Sequence, residues 1–428
     1  MTLGWTQIMR LGLVQMALGA IVVLTTSTMN RLMVVEFALP AVLPGLLVAL
    51  HYGIQLSRPR WGFTSDTGGN RTVWIIGGMA ALALGGFGAA VGVTLFEQSY
   101  GLALAVSVIA YALIGLGVGA SGTSLLALLA TTTAPHRRAA AATITWLMMI
   151  FGIALTAGLA GHFLDPYSPT RLLAVVAVVV GAAFVLTCLA TGRIERGLQV
   201  TRQPDPAPFL DGLREIWAER RARNFTLFVF LSMNAYFMQE LILEPFAGLV
   251  FGFTPGQSTS LSGAQNGGVF IGMLLVGIAG TGLKVGSLRS WVVAGCIGSA
   301  GMLGLIALAG TGGLTAPLTP LVAGLGFFNG MFAVAAIGSM MALASEGRSS
   351  REGTRMGLWG AAQAIAAGFG GLCGAAAVDV MRGFSADGPA FAAVFSVEAI
   401  LFVAAALMAR HILDPVPASA TGTLVAGE

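Results

Sequence analysis

The chain is poor in charge. Asp, Glu, Lys and Arg make up 9% of its 428 residues, against roughly 25% in soluble domains, whose surfaces must be wetted. Eighteen acids and 22 bases cannot clothe a water-exposed surface of this size, which excludes a soluble globular protein. Cysteine is scarce too. Cys188, Cys296 and Cys373 lie far apart inside apolar runs, with no CxxC pair and no Cys/His cluster. That excludes a disulfide framework and offers no metal site. The first apolar segment is too long for a signal peptide and lacks a small-residue cleavage site, so it is expected to stay as a span. What is plentiful is apolar surface and glycine. Hydrophobic residues are 56% of the chain, mean hydropathy is +0.86, and there are 60 glycines. Small residues let helices approach closely in a bilayer, so an integral membrane protein of packed helices is expected.

A helix needs about 20 apolar residues to cross a hydrocarbon layer of roughly 30 Å. Stretches without a charged residue cover 11–30, 37–57, 72–96, 98–136, 139–164, 172–192 and 356–378. The run 290–345 is broken by "GTGGLTAPLTP" into two helices, 245–283 holds the end of one helix and another near 260–281, and 224–247 and 389–410 each tolerate acids. This gives twelve spans. A β-barrel would need short alternating segments, which are absent. With both termini on the cytoplasmic side, 19 basic residues fall on that side and only Arg31, Arg171 and Arg382 on the other. Such an imbalance sets orientation, so the net charge of +4 reflects topology and not a nucleic-acid partner. The expected organisation is an N-terminal six-helix bundle over 1–192, a cytoplasmic amphipathic linker over 193–223, a C-terminal six-helix bundle over 224–413 and a disordered tail over 414–428. In the linker, Phe209, Leu210, Leu213, Ile216 and Trp217 share one helical face. That suits a helix lying on the membrane surface or a solvated linker helix.

The two sets of six spans resemble each other. "RLMVVEF" at 31–37 corresponds to "QELILEPF" at 239–246, aligning Glu36 with Glu244, and "RAAAATITW" at 138–146 corresponds to "REGTRMGLW" at 351–359. The offsets are 208 and 213. Duplicated six-helix halves with a cavity between them build the major facilitator fold. The loop "RPRWGFTSDTGGNRT", with Gly62, Asp66 and Arg71, resembles the signature loop of that superfamily.

Ionisable groups at membrane depth are functional candidates by default. By a rise of about 1.5 Å per residue, Arg31, Glu240 and Glu244 reach one level near the periplasmic mouth. Glu240 and Glu244, four apart, share a helical face, whereas Arg31 and Glu36 are about 140° apart on an α-helix. Pairing of Arg31 with a span-seven glutamate is therefore expected in preference to pairing within span one. The alternative is that these groups snorkel to the interface. Glu398 falls near the bilayer centre, as a coupling carboxyl or a hydrogen-bonded packing residue. His51, near the cytoplasmic end of span two, is either a magnesium ligand for a chlorin or a structural histidine.

"TMNRLMVVEFALP" near the start and "QELILEPFAGLVFG" after the central loop resemble the PucC-type, or bacteriochlorophyll delivery, family of the major facilitator superfamily. The short "LSRPRWGFTSDTGGNRT" loop is most similar to its branch called the bacteriochlorophyll synthase 44.5 kDa chain. The resemblance spans nearly the whole chain. It implies an all-α membrane protein of two pseudo-symmetric six-helix bundles in the photosynthetic, intracytoplasmic inner membrane of a bacterium. It marks Asn30, Arg31, Glu36, Glu244, Pro245 and Phe246 as motif positions; Gln239 and Glu240, in the same span-seven stretch, join them as gate candidates. It also implies bacteriochlorophyll or a precursor as a non-covalent ligand, with pigment synthase or light-harvesting subunits as membrane partners. The residues do not support an enzyme. A pigment prenyltransferase would hold magnesium and diphosphate on Asp-rich motifs, yet the seven aspartates form no DxxD or DxxxD pair. A dinucleotide fold needs GxGxxG after a strand, and "GLGVGASG" lies inside a span. The expectation is a pigment carrier or assembly factor. A proton-coupled exporter of small amphipathic molecules and a non-transporting scaffold are the alternatives.

Overall fold

A computed structural model describes residues 3–57, 70–134, 138–195, 217–283, 285–345 and 352–412. Residues 196–216 of the expected linker, the expected tail, and Gly62 and Asp66 of the loop motif lie outside the described residues. The described residues form twelve helices and no β-strand. They are α1 (Trp5–Glu36), α2 (Val42–Gln55), α3 (Arg71–Thr94), α4 (Tyr100–Thr132), α5 (Arg138–Leu164) and α6 (Pro169–Thr191). The second set is α7 (Arg220–Phe251), α8 (Pro255–Val276), α9 (Leu288–Gly310), α10 (Leu318–Ser345), α11 (Glu352–Arg382) and α12 (Asp387–Ile412). Eleven are long and apolar enough to cross a membrane.

The exception is α2, with 14 residues, or about 21 Å by helical rise. Its expected start at 37 moves to Val42 because residues 37–41 are not helical. Ala38 adopts a left-handed φ of 50°, and Pro40 biases the residue before it away from helix. Elsewhere the ends follow their sequence signals. Thr254 and Gln257 cap α8 reciprocally, with Pro255 at its first position. Gly252, at φ 69°, ends α7, as expected where only glycine takes a left-handed turn without strain.

Two apolar cores separate along the chain. One is built from Leu3 through Ile194, with Leu241 added from α7; the other runs from Phe225 to Ala409. This is the two-bundle architecture expected from the repeat. The alternation of helices puts Arg10, Arg71, Arg220, Arg289 and Arg410 at one end, here called the basic end, and Glu36, Asp165 and Phe253 at the far end. At the basic end Arg10 donates to the carbonyls of Ala190 at 3.0 Å and Gly192 at 2.6 Å, closing the C-terminus of α6. Glu195 accepts from the first N–H groups of α3, at 3.1 Å from Arg71 and 3.0 Å from Thr72.

Within the second bundle, α8 and α10 cross backbone on backbone. A Cβ at Gly268, Gly272, Gly326 or Gly330 would run into the carbonyls of Ala323, Phe327, Gln265 and Val269 respectively. Van der Waals contact of this kind drives helix association where no water is squeezed out. Overpacking a core costs typically 1–3 kcal/mol, about that or more here because the obstacle is backbone. Gly326→Val should therefore lower the melting temperature in detergent sharply. Gly301→Val, where a Cβ meets nothing within 4 Å, should leave it near wild type. Melts followed by size-exclusion chromatography check both, and equal melts would refute the backbone contact.

Candidate functional site

The site begins with a missing hydrogen bond. Pro245 lies inside α7 and has no N–H, so the carbonyl of Leu241, four residues earlier, receives no donor from its own helix. A buried acceptor left so costs about 1–3 kcal/mol. Asn30 of α1, fully buried, donates its Nδ2–H to that carbonyl at 2.6 Å. Two motifs roughly half a chain apart are thus one contact across the seam between the halves.

The winding of α1 supplies the rest. It is π-helical over Leu24–Thr28 and Leu32–Glu36, on either side of Met29–Arg31. Single π turns inside helices recur at functional sites. In the second turn Phe37 N–H donates to Leu32 O at 3.2 Å. Beside the first, the Tyr111 hydroxyl of α4 donates to Thr25 O at 2.6 Å. A π turn closes from i to i+5, so residues five apart stack instead of diverging. Glu36 is thereby brought onto the face of Arg31, and the two form an ion pair. This corrects the expected cross-helix partner of Arg31: the 140° separation holds for an α-helix and not for the π turn that forms here. Arg31 is 2% exposed and Glu36 36%. Arg31 also donates Nη2–H to Phe253 O at 2.7 Å, again across the seam.

Of the two span-seven glutamates, Glu244 lies near Arg31. Glu244 is buried; its Oε1 accepts from the Ser262 hydroxyl of α8, and its Oε2 has no hydrogen-bond partner. Arg31 acts on it electrostatically, without a direct ion pair. Glu240 is half-buried and faces Thr26 of α1. Gln239 is buried with neither amide atom hydrogen-bonded. Thr28 and Thr259 meet across the seam at 3.0 Å. Phe246 packs away from this polar seam, its ring centroid 5.0 Å from Phe395 and 5.4 Å from Phe391.

The remaining sequence candidates do not join this cluster. His51 is buried in α2, with Nε2 2.8 Å from the Gln55 amide nitrogen, so that ring nitrogen already accepts a hydrogen bond. Glu398 is fully buried in α12, and neither carboxyl oxygen has a hydrogen-bond partner. Arg71 opens α3 and donates to Ala127 O at 2.9 Å. No group of three or more His, Cys, Asp or Glu is placed to hold a metal among the described residues.

Residues 28–416 match the PUCC protein family. This chain belongs to that family. It is 67% identical over 430 residues, covering all of both chains, to the bacteriochlorophyll synthase 44.5 kDa chain of Rhodobacter capsulatus. It is 31% identical to protein PucC of Cereibacter sphaeroides, across 92% of this chain and 89% of that one. Solved structures agree on the fold. A bacterial homologue of the human lysosomal transporter Spinster superposes with a TM-score of 0.63 at 15% identity, over 98% of this chain and 96% of that one. A bacterial homologue of the human drug peptide transporters PepT1 and PepT2 gives 0.67 at 14% identity, over 95% and 97%. The protein is thus a multi-pass membrane protein of the major facilitator fold.

Sequence reasoning missed Ser262, Thr259, Tyr111 and the carbonyl of Phe253. "TTST" at 25–28 was a usable signal, as hydroxyls inside a span seek partners in the hydrocarbon. So was a proline in span seven, which frees a carbonyl that some neighbour must fill.

Two measurements check this geometry. Asn30→Leu orphans Leu241 O and should cost about 1–2 kcal/mol, the scale of hydrogen bonds in membrane bundles. Pro245→Ala returns an N–H to α7 and should recover part of that loss in the double variant. Strict additivity of the two melts would mean that Pro245 does not free this carbonyl. In double-mutant cycles, Arg31 should couple more strongly to Glu36 than to Glu244; the reverse order would restore the cross-helix pair.

Proposed function

We propose that this protein is a membrane carrier for bacteriochlorophyll or a precursor of it, handing pigment to the synthase or to light-harvesting subunits of the photosynthetic membrane. The observation that carries the reading is the full-length 67% identity to a chain named for bacteriochlorophyll synthesis, joined to a two-bundle fold whose polar groups gather at the seam between the bundles. A greasy macrocycle suits a bundle with few charges in its middle, and polar seam groups suit a device that moves. The protein itself is not the prenylating enzyme, since its aspartates offer no paired motif for a diphosphate-bound magnesium.

In this reading Arg31, Glu36 and Glu244 form the gate. Arg31 is held by Glu36 in the present arrangement, while Glu244 keeps one oxygen without a partner beside it. Rewinding of the π turn would carry Glu36 off the Arg31 face and leave Glu244 as the nearest replacement. The basic end faces the cytoplasm, as its arginines require. A proton-coupled exporter is the second reading, favoured by the two buried carboxyls, Glu244 and Glu398, that keep oxygens without partners.

Purification in mild detergent from a pigmented host should give a chlorin absorption band that travels with the protein. Deleting the gene should lower pigment-loaded antenna while leaving early tetrapyrrole synthesis intact. A colourless preparation together with normal antenna in the deletion strain would reject the carrier and leave the exporter.

A further inference from the structure

Two carboxylates at the far end each reach across the seam to the start of a helix in the other half. Asp165, in the α5–α6 connection, accepts from the Thr254 hydroxyl at 2.6 Å and from Gly256 N–H at 3.2 Å, at the start of α8. Asp379, on α11, accepts from Ala41 N–H at 2.9 Å and Val42 N–H at 2.7 Å, at the start of α2. The first N–H groups of a helix have no partner inside it, and their partial positive charge favours an anion. Ala41, in the capping position of α2, has no side chain to supply one. The carboxylate of Asp379 does so from the other bundle.

The two contacts are copies. Asp165 and Asp379 are 214 positions apart, and the first residues of α2 and α8, Val42 and Pro255, are 213 apart. Both separations match the offset of 213 between the α5 and α11 repeats to within one residue. Span five of the first half grips span eight, and span eleven of the second half grips span two. Beside the first contact the backbones nearly touch: a Cβ at Gly161 would lie 2.6 Å from Gly256 O, and one at Gly263 2.8 Å from Gly158 N. Beside the second, a Cβ at Gly45 would lie 3.2 Å from Ala375 Cβ. The hydrogen bonds between the halves named above lie toward this far end.

We propose that Asp165 and Asp379 are a duplicated latch, each holding shut one side of the far end, and that both must release a helix N-terminus before that end opens. A latch differs from a static rivet in that loosening it shifts a conformational equilibrium. The test reads distance and needs no pigment, so it stands apart from the carrier reading. Cys188, Cys296 and Cys373 are replaced by Ala, and spin labels are placed at Tyr100→Cys and Phe384→Cys, exposed positions on opposite halves. Electron–electron resonance then reports the width of the far end. Asp165→Asn and Asp379→Asn keep the side-chain shape and remove the charge. Each should add a population at longer distance, and the double variant should make it dominant. Asp387→Asn, whose partner Arg382 lies in its own half, should change nothing. A wild-type distribution in monodisperse single and double variants overturns the proposal. If no Asn variant folds, the labelled wild-type chain decides: two distances support a latch, and one distance means a rivet and overturns it.

Discussion

Inside a bilayer, a backbone group without a partner has no water to fall back on, and the architecture of this seam follows from that constraint at one carbonyl. Pro245 removes the donor for Leu241 O, and a group other than the i+4 N–H of α7 must replace it. Asn30 does so, which fixes the height and rotation of α1 against α7 to within the reach of one amide. The other contacts between α1 and the second half stand in register with it. Arg31 lies beneath Phe253, Thr28 beside Thr259, and Thr26 opposite Glu240.

The π turns of α1 solve a related difficulty. A buried guanidinium needs a counter-charge, and in hydrocarbon a charge without one is costly. Winding the helix wider over Leu32–Glu36 lets the same helix supply that counter-charge from five residues on. Glu36 is partly exposed while Arg31 is not, so the pair straddles the boundary between packed interior and the far-end surface. The pair consequently leaves Glu244 free to bond Ser262 of α8 instead.

Much of this was legible in the sequence. Apolar run length gave the helices, the Lys and Arg distribution gave two unlike ends, and the repeat gave two bundles. The charges at 31, 36, 240 and 244 are recognisable because such residues are rare at depth. What stayed hidden was the width of the winding, five residues per closed turn instead of four. Nothing in "LMVVE" distinguishes a π turn from an α turn, and the separation of Arg31 and Glu36 depends on which one forms. The short α2 was hidden for a similar reason: Phe37–Ala41 is as apolar as a span, only Pro40 hinted at a turn, and nothing about an alanine announces the left-handed φ of Ala38.

The changing offset between the halves has a consequence in the history of the chain. Glu36 and Glu244 are 208 positions apart, whereas Val42 and Pro255 are 213 apart. After duplication, therefore, the second copy carries five more residues than the first in the stretch between those points. That stretch includes the last turn of α7, Gly252 and Phe253, whose carbonyl caps Arg31. The counterpart of Arg31 in the second copy is Gln239, a neutral amide, at the same offset of 208. The buried cation thus belongs to one copy and the loop that solvates it to the other, so neither half could have carried this arrangement as a symmetric dimer of identical six-helix units.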